Sequence, residues 1–210
     1  MYLVLTGFMK TLSSDEQTEK WNKFILEGDL NDLSLIYFHY YDRLYSYGLK
    51  HSSDKQLVED TIQNIFLNFI KYRQNIGQVR NLAGYLISSF RHQLFLDLNK
   101  QKKTILTDHF REDHFNYYKN SDQDISALNN QETIHATIKE CVCHLTEKQQ
   151  EIIYLRFEQG ISYEGIASML NISVDSSYKS VYRSVQAIRS QVEKIIQKRG
   201  SLILFSRIKF

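Results

Sequence analysis

Apolar residues recur at helical spacing along most of the chain, and this pattern restricts the fold more than any other feature of the sequence. The clearest example is a predicted helix with one apolar face and one polar face. Its apolar face is formed by Val58, Ile62, Ile65, Phe66, Phe69 and Ile70. The 210 residues include no proline, so the commonest helix-stopper is absent. Coding bias in an AT-rich genome also fits that absence. The periodicity itself predicts an all-α protein.

Residues that cap helix ends accompany this pattern. Three pairs have the spacing of a capping box, in which a hydroxyl residue is followed three positions later by glutamine: Ser14 and Gln17, Ser53 and Gln56, and Thr146 and Gln149. Single caps are expected at Asp29, Ser162 and Ser173. Helices are expected to end at Gly28, Gly48 and Gly160.

The periodicity divides the chain into two helical domains. A first domain is predicted over residues 14–103 and a second over 133–199, followed by a tail at 200–210. Between them, residues 104–132 lack the apolar period and carry six acidic residues against two basic ones. This composition predicts an acidic, flexible linker.

The second domain contains a helix-turn-helix pattern. A short helix over residues 163–170 is followed by a turn at Asn171 and Ile172 and by a longer helix that Ser173 caps. The longer helix is predicted to bury Val174, Tyr178, Val181, Val185, Ile188, Val192 and Ile195. Its opposite face is predicted to dock in a groove of DNA and carries Ser176, Lys179, Ser180, Arg183 and Gln186.

Net charge does not identify a nucleic-acid binder, because 26 basic residues oppose 24 acidic ones. The basic residues are instead concentrated locally. One group is the predicted helix end at residues 100–103, and another is the stretch 179–199, where six basic residues accompany one acidic residue. Any basic surface is therefore expected to be local.

The remaining composition excludes several classes of protein. Cys141 and Cys143 lie too close together to staple a fold, and a metal site with His144 and His135 is a weak alternative to two buried thiols. No metal, cofactor or small-molecule substrate is expected. The apolar runs are too short for membrane insertion, so a cytoplasmic protein is predicted. Translation from Met9 instead of Met1 remains an alternative.

Several segments, in order, resemble the extracytoplasmic-function (ECF) sigma factors of bacterial RNA polymerase. In the first domain these are residues 58–66 (VEDTIQNIF) and 83–92 (AGYLISSFRH). In the second they are 145–150 (LTEKQQ), 155–157 (LRF) and 160–167 (GISYEGIA). The resemblance covers most of the chain, from about residue 21 to residue 193.

The resemblance implies a transcription initiation factor that binds core RNA polymerase, recognises two promoter elements and melts the DNA without being an enzyme. Core RNA polymerase, promoter DNA and an anti-sigma factor are its implied partners, and the linker is expected to thread the RNA-exit channel. The polymerase-binding residues implied are Glu59, Asp60, Gln63 and Phe66. Those for the promoter element near the start site are Arg73, Gln74, Asn75, Arg80, Asn81, Tyr85, Arg91, Lys100, Lys102 and Lys103. Those for the distant element are Ser173, Ser176, Ser177, Lys179, Ser180 and Arg183.

Two other functions remain open at this point. A stand-alone helix-turn-helix regulator has no use for the polymerase-binding helix. An enzyme acting on nucleic acid needs paired carboxylates or metal ligands, and the sequence shows no such constellation. Tyr72 and Tyr85 near the polar loop are candidates for stacking on bases, although core packing is the simpler interpretation.

Overall fold

The computed structural model describes residues 12–104, 115, 117 and 130–199, and those residues contain helices and no β-strand. They divide into two compact units. The first contains residues 12–48 and 54–104, and the second contains 49–53, 115, 117 and 130–199. The prediction of two helical domains is confirmed. The segment 49–53, which the sequence assigned to the first domain, belongs to the second unit.

The first unit is built on four helices: α1 (Ser14–Glu27), α2 (Leu30–His51), α3 (Lys55–Lys71) and α4 (Leu82–Thr104). A 3-10 turn at Arg73–Asn75 opens the connection between α3 and α4. The core is strongly aromatic, since the Trp21 ring lies edge-on to Phe69 at 5.4 Å and to Tyr85 at 5.7 Å. These contacts join α1, α3 and α4 directly beneath the loop that connects α3 with α4.

Two predicted capping boxes in the first unit are wrong by one residue. Helix α1 is capped by Ser13 with Glu16, and α3 is capped by Asp54, whose carboxylate accepts from the Leu57 amide. In each case the neighbouring residue offers an equivalent cap, so spacing alone could not choose the register. Asp29 caps α2 as predicted, because its carboxylate accepts from the Asn31 amide at 2.8 Å. That hydrogen bond also lowers the pKa of Asp29.

Gly48 lies inside α2 and does not end it, so that prediction is wrong. A Cβ atom at position 48 would lie 2.6 Å from Val58 and 2.8 Å from Phe90. The glycine is therefore needed for close approach between α2 and the helices that carry those side chains. Gly28 and Gly160 do follow helical segments and adopt positive φ angles of 80° and 64°.

The second unit contains α5 (Asn130–Cys143), α6 (Glu147–Ile153), α7 (Tyr163–Met169) and α8 (Val174–Arg199), with a π-helical turn at Tyr154–Glu158 after α6. Thr146 and Gln149 form the predicted capping box at the start of α6. The core of this unit includes Cys141, Val142, Leu145, Ile153, Ile188 and Val192.

The two cysteines have different environments, so the prediction of two buried thiols is only half right. Cys141 is buried and Cys143 is exposed. Burial raises the pKa of the Cys141 thiol, which keeps it protonated and inert. Among the residues that the structure describes, no three His, Cys, Asp or Glu side chains are grouped to hold a metal ion.

The buried face of α8 differs from the predicted one in its first turns. Val174 and Tyr178 were predicted to be core residues, but they are 40% and 48% exposed. Ser177 and Ser184 are buried there instead, together with the predicted Val181, Ile188 and Val192. A short hydroxyl side chain fits here because α7 packs closely against the start of α8. In the first turns of α8, part of the predicted apolar stripe therefore faces solvent.

Several predictions concern residues outside the described ranges. These are most of the linker at 104–132, the tail at 200–210 and the alternative start at Met9. The backbone of α4 is described through Thr104, but the side chains of Lys102 and Lys103 are not. None of the helices in the described ranges is long and apolar enough to cross a membrane.

Candidate nucleic-acid interface

The loop between α3 and α4 forms an open cavity of about 490 Å³ in the first unit. Four residues that the sequence assigned to the start-site element line it together, namely Asn75, Arg80, Asn81 and Tyr85. The rest of the lining is Tyr72, Ile76, Gly77, Gln78 and Val79. Carboxamides, one guanidinium and aromatic rings around a cavity of this size suit an unstacked nucleobase, which offers polar edges and an apolar face.

Asn81 and Tyr85 are held in place by the start of α4. The Asn81 carboxamide oxygen accepts a hydrogen bond from the Gly84 amide at 3.0 Å, which leaves its amino group directed to other acceptors. The ring of Tyr85 packs against Trp21 and Phe69, and burial raises the pKa of its hydroxyl. The wall of the cavity is therefore fixed to the aromatic core.

Arg73 was predicted to contact DNA, but its guanidinium is directed to the protein. It donates hydrogen bonds to the carbonyl oxygens of Ile25 at 2.7 Å and Leu26 at 3.1 Å, in the last turn of α1. No basic residue of α1 itself lies in that turn, so Arg73 supplies the positive charge that the helix end favours. The prediction is corrected: Arg73 fastens the loop to α1. Gln74 is exposed but does not line the cavity.

Two basic residues of α4 contact neighbours on the same helix, namely Lys100 and Arg91. Lys100 lies 3.4 Å from Asp97, in an exposed ion pair that contributes little to stability. The Arg91 guanidinium lies over the Phe95 ring at 4.5 Å. Both side chains still reach solvent, so their predicted phosphate contacts remain predictions.

The predicted polymerase-binding residues of α3 do not all face solvent. Asp60 and Gln63 are exposed, and Glu59 is half-buried. Phe66 is only 5% exposed and its ring packs on Tyr37 and Phe69, so the prediction of a direct contact through Phe66 is wrong. Its role is to hold α3 on α2.

Sequence reasoning missed an apolar residue on the same exposed face. Leu67 is 60% exposed, and it lies seven residues after Asp60 and four after Gln63. These separations place the three side chains on one side of α3. The only indication of this in the sequence was that Leu67 is apolar but lies outside the predicted core stripe of α3. Ile70, which was predicted to lie in that stripe, is also partly exposed.

In the second unit, α7, the turn and α8 have the predicted helix-turn-helix geometry. Ser162 caps α7 through the Gly165 amide, and Ser173 caps α8 through the Ser176 amide at 3.1 Å. Asn171 adopts a left-handed φ of 51° in the turn, a conformation that asparagine tolerates better than most residues. The Ile172 amide then donates to the carbonyl oxygen of Ala167 at 2.9 Å and closes the end of α7.

Ser177 was predicted to contact DNA, but its side chain is fully buried. Its hydroxyl donates to the carbonyl oxygen of Val174 at 2.7 Å and lies 3.0 Å from that of Tyr163. The prediction is therefore wrong for this residue. Ser177 joins α8 to the first residue of α7.

The exposed face of α8 carries the other predicted residues. Ser173, Ser176, Lys179 and Arg183 are exposed, and Ser180 is half-buried. Lys179 lies 2.6 Å from Asp175 one turn earlier, and both side chains face solvent. Such a pair is weak enough for Lys179 to exchange Asp175 for a phosphate or a base edge. Two aromatic residues that the sequence did not assign to this face, Tyr178 and Tyr182, lie along one side of it.

Comparison with known proteins agrees with this geometry. Residues 135–188 match the model of the sigma-70 region 4 family. No curated protein matches the chain. A chain in the complex of CnrH with the cytosolic domain of CnrY is 13% identical, with 86% of this chain and 99% of that chain covered and a TM-score of 0.54, which shows a shared fold.

Two further solved structures are more distant in shape. A chain in the complex of the sigma factor RpoE with the anti-sigma factor NepR from Bartonella quintana is 16% identical. It covers 72% of this chain and 91% of its own length, with a TM-score of 0.47. A chain in the RsbN–BldN complex is 18% identical and covers 81% of this chain and 97% of its own length, with a TM-score of 0.32.

The helix-turn-helix unit is therefore a sigma-70 region 4 domain over residues 135–188. The resemblance of this part of the sequence to the sigma factors is therefore confirmed.

Proposed function

We propose that the chain binds core RNA polymerase and directs it to promoters, through one surface in each unit that contacts DNA. The observation that carries this proposal is the exposed face of α8, where Lys179 and Arg183 project beside Ser176 in a region 4 domain. An exposed helix face with this mixture of cations and hydroxyls suits the major groove. This face recognises the distant promoter element.

The cavity between α3 and α4 captures a base of the element near the start site. Extruding a base from duplex DNA costs a few kcal/mol, and a preformed cavity offsets part of that cost. Asn75 and Arg80 supply hydrogen-bonding groups, and Tyr72 and Tyr85 supply rings for stacking. Capture of one base stabilises the melted promoter. The basic end of α4, with Arg91, Lys100, Lys102 and Lys103, holds nearby phosphates.

The exposed side of α3, formed by Asp60, Gln63 and Leu67, binds core polymerase. A solvent-facing leucine between polar residues suits a protein partner, because burying it removes apolar surface from water. This surface argues against the stand-alone regulator, which needs only the helix-turn-helix. The acidic linker lies in the RNA-exit channel until the transcript displaces it.

The protein performs no chemistry of its own and acts in the cytoplasm, where an anti-sigma factor holds it inactive. The RpoE structure contains an anti-sigma factor, which supports this class of partner. Detection of metal-dependent DNA cleavage that a single acidic substitution abolishes would contradict the non-enzymatic role.

Run-off transcription with purified core polymerase tests the proposal. We expect transcripts from discrete start sites only when the chain is added, together with co-elution of the chain and core polymerase. The double variant Lys179→Glu/Arg183→Glu is the matched control, and we expect it to co-elute with polymerase while losing promoter-specific transcripts. Tight binding to duplex DNA without any association with polymerase would establish the stand-alone regulator instead.

A further inference from the structure

Three side chains form a continuous stack at the junction of α7 and α8. The rings of Tyr163 and Tyr178 are stacked, with centroids 3.7 Å apart and planes inclined by 23°. The Arg156 guanidinium lies over the Tyr163 ring at 4.5 Å. An aromatic pair with a guanidinium above one ring combines apolar contact with a cation–π interaction. Tyr178 therefore has a fixed support on one face of its ring.

The support of Tyr178 is itself anchored to the backbone. The Arg156 guanidinium donates to the carbonyl oxygen of Ile161 at 3.1 Å, just before α7 begins. Ser177, the residue adjacent to Tyr178, hydrogen-bonds to the carbonyl oxygen of Tyr163 at 3.0 Å. The Ser177 hydrogen bond and the stacked rings thus both hold the start of α8 against Tyr163. The Tyr178 side chain loses little further freedom when a ligand reaches it.

Tyr178 remains accessible despite this stack, with 48% of the residue exposed. It lies next to Lys179 in sequence and one turn before Tyr182, which is 65% exposed. The periodicity of α8 puts these two rings on one flank of the face that carries Lys179 and Arg183. This cationic face attracts a polyanion, so DNA is the occupant that the charge of the surface favours.

We propose that the Tyr178 ring reads the 5-methyl group of a thymine in the distant promoter element. This inference rests on the proposed function, because it requires α8 to lie in the major groove. The thymine methyl is the apolar group that base edges present there, and aromatic side chains pack against it. Tyr178 is a specificity-determining residue in this account, and Tyr163 and Arg156 are positioning residues.

Replacing thymine by deoxyuridine removes only the methyl group and provides the test. Duplexes are first selected from a library randomised upstream of the start site, using holoenzyme assembled from the full chain and core polymerase. Each thymine of the distant element is then replaced singly by deoxyuridine. At one position we expect wild-type affinity to fall about threefold to fourfold, as for one methyl group removed from apolar contact. Substitution with 5-bromodeoxyuridine, whose bromine is similar in size to the methyl group, should restore the affinity.

Two variants identify the residue that reads the methyl group. Tyr178→Ala should bind the thymine and deoxyuridine duplexes equally, whereas Tyr178→Phe, which keeps the ring and loses the hydroxyl, should retain the difference. Tyr163→Leu should weaken the difference without altering the surface of α8 itself. Circular dichroism of each variant should match the wild type. Equal discrimination by wild type and Tyr178→Ala, or its loss in Tyr178→Phe, would overturn the proposal.

The same experiment separates this inference from the proposed function. If Lys179→Ala and Arg183→Ala weaken holoenzyme binding to the selected duplexes but no thymine couples to Tyr178, only the assignment of Tyr178 fails. If neither basic residue affects binding to any selected duplex, α8 does not dock in the groove, and the proposed function of this face fails as well.

Discussion

The guanidinium of Arg73 donates a hydrogen bond of 2.7 Å to the carbonyl oxygen of Ile25, 48 residues earlier in the chain. The contact joins the start of the loop that lines the cavity to the last turn of α1. A Cβ atom at Gly28 would lie only 3.2 Å from the Arg73 guanidinium carbon, so the glycine leaves room for this contact. The shape of the cavity therefore depends on a helix that does not line it.

Arg73→Ala should impair promoter opening through loss of this contact. We expect the free energy of unfolding of the first unit to fall by about 1–3 kcal/mol, because hydrogen bonds from a charged donor are lost. Permanganate reactivity of unpaired thymines in the promoter should fall as well. Arg80→Ala is the matched control, since Arg80 is exposed and lines the cavity: it should impair opening with unchanged stability. Unchanged stability in Arg73→Ala would contradict the positioning role.

Gly48→Ala should destabilise the first unit although alanine favours helices. The new methyl group would meet Val58 and Phe90 at less than 3 Å. Such overpacking costs about 1–3 kcal/mol, against about 1 kcal/mol gained in helix propensity. Urea unfolding measures the balance. Gly77→Ala is the control, because nothing lies within 4 Å of its Cβ position, and its stability should stay near that of the wild type.

Ser177→Ala should lower stability and leave promoter selectivity unchanged. The buried hydroxyl holds the start of α8 against α7, and a hydrogen bond of this kind contributes about 0.5–1.5 kcal/mol to stability. The comparison variant is Ser176→Ala, which alters an exposed residue one position away and should change DNA binding more than stability. A shift in the preferred distant element in Ser177→Ala would contradict its purely internal role.

Leu67→Glu should weaken binding to core polymerase by at least about tenfold, since a charge replaces apolar surface that the partner covers, an effect of about 1.4 kcal/mol. Titration of labelled protein with core polymerase measures the change. Leu26→Glu provides the control, because Leu26 is even more exposed but lies on α1. Equal losses in both variants would show that α3 carries no specific polymerase surface.

Arg183→Ala should weaken binding to the distant element by about 1–3 kcal/mol and relax selectivity at one position if the guanidinium contacts a base edge. Lys148→Ala, an exposed cation on α6, is the control for nonspecific charge effects. Affinities measured on selected and scrambled duplexes at the same salt concentration distinguish a base contact of Arg183 from a phosphate contact. A uniform loss on both duplexes would assign Arg183 to a phosphate.

The sequence by itself determined the helical segments and the starts of several of them. Thr146, Ser162 and Ser173 were identified as caps, because a cap bonds to amides two or three residues away and needs no distant partner. The order of short helix, turn and longer helix could be predicted for the same reason, because it too depends on residues that are close together in the sequence. The motifs that indicated a sigma factor also lie within single segments, so they could be read without coordinates.

Only the tertiary structure decided which side chains those helices turn inward. Phe66 and Ser177 were expected at binding surfaces and are buried, whereas Tyr178 was expected in the core and is exposed. The sequence predicted that Gly48 ends a helix. In the structure a glycine is needed there because Val58 and Phe90 leave no room for a side chain. In each case the deciding atoms belong to another helix or another part of the chain. Periodicity gives the angle of a residue around its own helix. Whether its side chain is buried depends on which other parts of the chain pack against that side of the helix.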